Sequence, residues 1–288
     1  MECELWPQLY ILVIKEGKGL RRKKVHYSDT VIVLVFLWGC LHDRPQCWAC
    51  DPDNWRATRL KPVHLPSGST LSRRLESPSV KRFMKQLEHD VRCSENSGLI
   101  KFIDAKPLPV GACTKDPEAK PGRAVGGMAR GYKLYAIWGN RSLPESWSVQ
   151  PLNKSEISVA KTLIPQITGT GYLVGDGLYD VVLLHDLSQE HNHQLVSRKH
   201  YPRAKGLGHV RQSVHRKHAL EMIQRPFGLA LLTQREAIER LFANVTSFSG
   251  GLSPLPAWVR RLHRVTRWVW AKLIINAARI RFRKGLAA

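Results

Sequence analysis

The sequence predicts a mixed α/β protein: a helical first third, then a mixed sheet flanked by helices, then a basic C-terminal helix. Three observations carry that reading. Apolar residues recur with helical spacing up to about residue 95, and past the turn Asn96-Ser97-Gly98 they bunch into short runs bounded by Gly, Pro and Asn, the signature of strands. Three such runs come in succession before helices and strands alternate. Two of the runs end in an acid, Asp104 and Asp176.

A chain of 288 residues can bury a sizeable core, as one large domain or two ordinary ones. Its 45 Lys and Arg against 23 Asp and Glu give a formal charge of +22. So large an excess points to a polyanionic partner, nucleic acid first and an anionic membrane surface second. The longest apolar run, residues 31–41, is well short of the roughly 20 residues a spanning helix needs. The N-terminus has no basic leader before its apolar segment and no small-residue cleavage site, which predicts a cytoplasmic protein with reduced thiols. Of Cys3, Cys40, Cys47, Cys50, Cys93 and Cys113, only Cys47 and Cys50 form a CxxC, with Cys40 and His42 upstream. With no second CxxC and no HxxxH, buried thiols outweigh a zinc site.

Residues 1–27 are mixed, and Arg21, Arg22, Lys23 and Lys24 read as a solvated loop. Ser28 and Asp29 stand as N-cap and first-turn acid before VIVLVFLWGCL, which favours a buried helix although its β-branched run also permits a strand. Pro45, Pro52, Pro62 and Pro66 mark a turn-rich connector whose Trp48 and Trp55 are expected against that helix. Ser67 caps a short helix with Leu71 and Leu75 on one face and Arg73 and Arg74 beside them. Ser77 and Pro78 start a second helix carrying Val80, Phe83, Met84 and Leu87. The pair has the form of a helix-turn-helix, making Arg73 and Arg74 DNA-contact candidates, and equally that of a plain helical bundle.

Beyond the turn, residues 99–103 form a strand ending in Asp104, and Pro107 and Pro109 lead into a Gly-, Lys- and Asp-containing loop over 111–130. Residues 132–138 and 146–151 make two further strands, joined by a hairpin around 140–144. Asn153 or Ser155 caps the next helix, with Ile157, Ala160, Leu163, Ile164 and Ile167 on its apolar stripe. The short strand 172–174 then runs into Gly175-Asp176-Gly177, where glycines allow a sharp turn and a lone acid is ordinarily a helix cap. Asp180 is expected to start the following helix, to about 190, before a strand over 194–197. A basic stretch, 201–225, precedes a helix starting near Leu231 with Arg235, Ile238, Leu241, Phe242 and Val245 in helical spacing. There Glu236 pairs with Arg240, while Glu239 lies at the edge of the apolar face with Arg235 one turn earlier, by itself an ordinary Arg-Glu pair. The last helix, about 257–283, sets Trp258, Leu262, Val265, Val269 and Ile275 against Arg260, Arg261, Arg264, Arg267 and Arg279. It is either a core-packing helix with a solvated basic face or a DNA contact.

The order strand, strand, strand, helix, strand, helix, strand, helix is that of a ribonuclease H-like domain. In that fold the first and fourth strands lie side by side, so Asp104 and Asp176 would face one another. Two carboxylates so close repel unless a cation lies between them, and a hard divalent metal is the natural filler.

On these residues the chain resembles the DDE transposases of bacterial insertion sequences, in particular the insertion-sequence-four-like group, from residue 27 to about 280. FIDAKPLPV resembles the family's first-acid strand, TKD and GYKL its following loop and second strand, and GDGLYD its second-acid motif. REAIERLF carries the family's Arg and Glu spacing at Arg235 and Glu239. YSDTVIVLVFLWGCLHDRP, LPSGSTLSRRL and LPAWVRRLHRVTRWVWAKL resemble its flanking helical regions. Leu232 and Thr246 stand where that group often has a Tyr and a Lys. The resemblance implies a helical DNA-binding region over 1–95, a ribonuclease H-like catalytic domain over 96–250 and a basic C-terminal helix over 251–288. It implies that Asp104, Asp176 and Glu239 are the catalytic residues and hold two Mg²⁺ ions, replaceable by Mn²⁺, about 3.5–4 Å apart. The reaction would be cleavage at the element's ends and attack of the freed 3′-hydroxyl on target DNA. Lys106, Lys115, Arg123, Lys133, Arg198, Lys199 and Arg235 are the phosphate contacts expected near the acids. Implied partners are double-stranded DNA, in terminal inverted repeats and target, and a second copy in a synaptic homodimer at the bacterial nucleoid. The rival readings are a metal-dependent nuclease or resolvase of the same fold and an inactive DNA-binding regulator.

Overall fold

The computed structural model describes residues 2–17, 25–111, 114–200, 212–252 and 254–285, without the side chains of Glu2 and Cys3. The cluster Arg21 to Lys24, Cys113 and positions 201–211 of the basic stretch lie outside the described residues. The chain divides into two compact units, Met1–Ser94 with Val245–Val259 and Arg267–Ala288, and Glu95–Asn244 with Arg260–Thr266. Among the described residues no helix is long and apolar enough to cross a membrane.

The first unit opens with a helix absent from the sequence reading, α1 (Glu2–Glu16), which buries Leu5, Trp6, Leu9, Leu12 and Val13 along one stripe. Pro7 conceals it in the sequence: it stands inside the helix and forgoes one backbone bond to the preceding turn, a cost that the buried apolar stripe offsets. The ambiguous apolar run is the helix α2 (Asp29–Leu41), and Ser28 Oγ accepts the Val31 N–H at 3.2 Å. From Ile32 onward it is buried on every side, which explains why its pattern lacks an amphipathic period. After α3 (Gln46–Ala49) comes a 3₁₀ turn, Pro52–Trp55, and the connector indoles do meet α2. Trp38 stacks on Trp55 at 4.7 Å and on Trp48 at 6.4 Å, and Trp6 meets Trp38 edge-on at 4.8 Å. Each of three indole N–H groups finds a carbonyl: Trp6 at Leu60, Trp38 at Asn54 and Trp55 at Ala49. The helices α4 (Gly68–Leu75) and α5 (Pro78–Cys93) are capped by Ser67 and Ser77, which accept from Thr70 and Val80.

The second unit holds a mixed sheet in the order β2-β3-β1-β5-β6, with β4 also on β3. Its strands are β1 (Ile100–Pro109), β2 (Lys120–Ala124), β3 (Gly127–Trp138), β4 (Ser146–Pro151), β5 (Gly171–Val174) and β6 (His193–Val196). The helices are α6 (Glu156–Leu163), α7 (Val182–Glu190), α8 (Val214–Met222), α9 (Pro226–Thr233) and α10 (Glu236–Thr246). β3 runs antiparallel to β1, β2 and β4, whereas β5 runs parallel to β1 and β6. Ile103, Tyr135, Ile137, Leu173 and Leu195 of the strands form one core with Val159, Ala160 and Leu163 of α6 and Leu184 of α7.

Three expectations are corrected in this unit. β1 does not stop before Asp104; it continues through Pro107 and Pro109, paired with β3. β5 covers only Ile100 to Phe102 on its other side, so the missing proline N–H groups cost no ladder bond. The loop over 111–130 contains β2, which pairs with the start of β3. The helix expected from Leu231 breaks between α9 and α10, where the N–H groups of Gln234 and Arg235 bond back to Leu231 and Leu232.

The last helix is α11 (Leu262–Arg283), starting later than the sequence predicted. Arg261 is left-handed at φ 72°, and the N–H groups of Arg261 and Leu262 donate to Asp116 at 2.8 Å and Glu118 at 2.5 Å. Its part in the first unit is buried almost all round. Lys272 Nζ donates to Cys40 O, Asp43 Oδ1 and Gly250 O, within 2.9 Å in each case. Arg267 reaches Glu76 at 2.6 Å, and Arg279 lies 4.2 Å over the Phe248 ring, so these two do not belong to a solvated basic face.

Candidate active site

β1 and β5 set the site through their register. Phe102 pairs with Val174 in the parallel ladder, and Asp104 and Asp176 each lie two residues further on. Equal offsets bring both acids to one level just past the last paired rung, and the Asp176 charge reaches the Asp104 carboxyl. β5 ends at Val174 while β1 continues, and the Ala105 N–H is taken by Asp104 Oδ1 at 2.8 Å. Asp176 Oδ1 accepts the Leu178 N–H at 2.9 Å and starts the 3₁₀ turn Gly177–Tyr179, so the bland expectation of a capping acid holds too. Each carboxylate keeps a second oxygen outside these bonds. Gly175 is not among the residues of positive φ; a Cβ there would stand 2.9 Å from the Tyr179 ring and 3.0 Å from Ile103 Cγ2. Close packing, and not a special turn, requires glycine at this position.

Burial pushes the Asp104 carboxyl up to about 6. The charges of Asp176 and Glu156 add to that rise, and the Ala105 N–H and the Arg235 guanidinium oppose it. The phenol of Tyr179 stands well above its ordinary range, first through burial and then through Glu156, Asp104 and Asp176. Glu156, in the first turn of α6, receives the Lys133 ammonium at 2.9 Å and the Tyr179 hydroxyl at 3.3 Å. Sequence reasoning missed Glu156, Tyr179 and their link to the acids, because only the packing of α6 on the sheet brings them together.

Residues 96–275 match the Transposase DDE domain family, more than half of the chain. The chain belongs to that family. No curated protein matches it. Among solved structures, a cryo-EM structure of a piggyBac transposase synaptic complex with hairpin DNA aligns with 98% of this chain and 74% of its own, at 11% identity and a TM-score of 0.47.

In this DDE transposase the other expected residues lie as follows. Arg235, between α9 and α10, is close enough to act on Asp104, while Glu239 on α10 is exposed. Among the described residues no three His, Cys, Asp or Glu side chains gather as a metal-holding group. Lys106 is half-buried on β1; Lys115, Arg123 and Arg198 are exposed, and Lys199 is half-buried after β6. Lys133 is buried on Glu156, so its charge is spent inside the domain and not offered to phosphate. In the first unit Arg73 is exposed, but Arg74 is bound to Asp29 at 2.5 Å and to Tyr27 O at 2.8 Å. Asp180 does not start α7, whose N-cap is Val181. Its fully buried carboxylate instead receives Arg216 Nε at 2.7 Å, Arg216 Nη2 at 2.6 Å and the His200 N–H at 3.0 Å, with His185 Nε2 at 3.2 Å. Cys40 is buried and its thiol pushed far up, and burial also lifts Cys50 to about 11.

Proposed function

We propose that this transposase cuts DNA at the ends of an insertion element and joins the freed 3′-hydroxyl to target DNA, with Asp104, Asp176 and Glu239 as its catalytic acids. The observation that supports this most is the parallel register that levels Asp104 with Asp176, in a chain of the DDE transposase family. The fold assignment that goes with it is ribonuclease H-like, and the subgroup insertion-sequence-four-like, with bacterial cytoplasm as the setting.

A divalent cation fits the acid pair: both groups are hard oxygen donors, each with an oxygen outside local bonds, and the Asp176 charge adds to the cost of ionising Asp104. Asp104 and Asp176 would hold Mg²⁺ or Mn²⁺, two ions in all, with Glu239 as the further ligand. When bound, such ions ease deprotonation of an attacking water or 3′-hydroxyl and stabilise the leaving oxygen. Arg235 offsets phosphate charge beside the acids. Lys106, Lys115, Arg123, Arg198 and Lys199 hold the DNA backbone, Arg73 contributes from the helical region, and a homodimer pairs two element ends.

Purified protein with element-end DNA, a target plasmid and Mg²⁺ should give joined products. Cleavage without joining favours a nuclease of the same fold. The exposure of Glu239 favours the second reading, a DNA-binding regulator. That reading wins if wild type is inert with both Mg²⁺ and Mn²⁺, whereas full activity of Asp104→Asn, Asp176→Asn and Glu239→Gln would refute these acids as the catalytic ones.

A further inference from the structure

The hairpin of β2 and β3 ends in an apolar tip that none of the described residues covers. Val125 is 98% and Met128 76% exposed. Between them Gly126 and Gly127 have φ of 86° and 134°, and open space lies where either would carry a Cβ. Hairpin tips are ordinarily polar, and two exposed aliphatic side chains here contribute nothing to the core.

The stem is cationic. Lys120, Arg123 and Arg130 are all exposed, and the register sets Arg123 opposite Met128 and Arg130 opposite Pro121. Residues 120–130 contain no acid. The base of the stem is fixed: a Cβ on Gly122 would stand 2.6 Å from Leu152 O, so β2 is pressed against backbone there, while at the tip no described residue lies within 4 Å of where Gly126 or Gly127 would carry a Cβ. A ribbon anchored at its base thus presents a small apolar wedge with positive charge behind it. A neutral protein partner would meet the wedge but leave the stem charges unanswered. Duplex DNA answers both, with base steps for the wedge and phosphates for the cations.

We infer that Val125 and Met128 form a wedge that enters the minor groove of duplex DNA and partly unstacks a base step, with Lys120, Arg123 and Arg130 on the flanking phosphates. The choice of partner rests on the DNA reading proposed above, and no step of catalysis is needed for it.

The test uses the full chain without divalent metal and short duplexes carrying 2-aminopurine at successive TA steps. Wild type should raise the 2-aminopurine fluorescence several-fold at one or more steps. Val125→Ser/Met128→Ser should melt with wild type, lose that rise and bind about tenfold more weakly, with an unchanged salt slope. Arg123→Ala/Arg130→Ala should instead lower the salt slope by about two. Binding by wild type without a fluorescence rise at any step overturns the wedge, as does a full rise with the double serine variant. A double serine variant that binds and unstacks like wild type but loses self-association in sedimentation also overturns it, in favour of a second copy of the chain. A wild type that binds no duplex overturns the DNA reading itself, whereas DNA that is unstacked here and stays uncut after Mg²⁺ is added counts only against the catalytic proposal.

Discussion

Asp104 has opposite consequences for folding and for chemistry. Its carboxyl lies above the ordinary value of 3.8, at about 6, so the folded state resists its ionisation. Stability is therefore expected to fall as pH rises from 3.8 to about 6, and the metal-free protein carries that cost at neutral pH. Asp104→Asn removes it and should stabilise the metal-free protein by roughly 1–3 kcal/mol near neutral pH while abolishing cleavage. Calorimetry on either side of the transition checks this, and an equal or lower melting temperature for the variant refutes it. Added Mg²⁺ or Mn²⁺ should stabilise wild type and not the variant. Asp180 behaves the other way. The side-chain bonds from Arg216 hold its carboxyl far below the ordinary range despite burial. Its contribution is present in full above the ordinary 3.8 and is lost as pH falls below it. Asp180→Asn should cost roughly 3–5 kcal/mol near neutral pH, because it leaves the Arg216 charge buried without its partner. A loss below 1 kcal/mol would show that Arg216 finds water instead.

At the scale of elements, the helices that carry their own caps were legible and those held by distant residues were not. Ser28, Ser67 and Ser77 announce their helices because the capping bond closes within three residues. The start of α11 depends on Asp116, far away in sequence, which accepts both the Arg261 N–H and the Tyr132 hydroxyl at 2.5 Å. Asp116→Ala is predicted to lower stability by roughly 2 kcal/mol and to increase amide exchange in the first turn of α11, with other helices unaffected. Uniform exchange across the chain would contradict that assignment. β2 escaped notice for a similar reason: KPGRA has no strand signature of its own, and only the edge that β3 offers makes it extended.

For the whole molecule, the +22 charge is the property that dominates encounter with DNA. If Lys106, Lys115, Arg123, Arg198, Lys199 and Arg235 each neutralise a phosphate, log affinity should fall against log salt with a slope of about −5. A slope near zero would remove the backbone-contact proposal, and Lys133→Met should leave it unchanged, since Glu156 already takes that charge.

The sequence by itself determined most of the succession of helical and stranded segments, the caps of α2, α4 and α5, and Asp104 and Asp176 as the acids to examine, although Asp104 lies within β1 and not beyond its end. These follow from periodicity and from bonds between near neighbours. It could not determine that Glu156 and Tyr179 sit with the acid pair, that Asp180 clamps Arg216 instead of starting a helix, or that Lys133 and Arg74 turn inward. Those outcomes depend on which strand lies beside which and at what register. A charged side chain then follows the partner that burial brings to it, and that partner is distant in the chain.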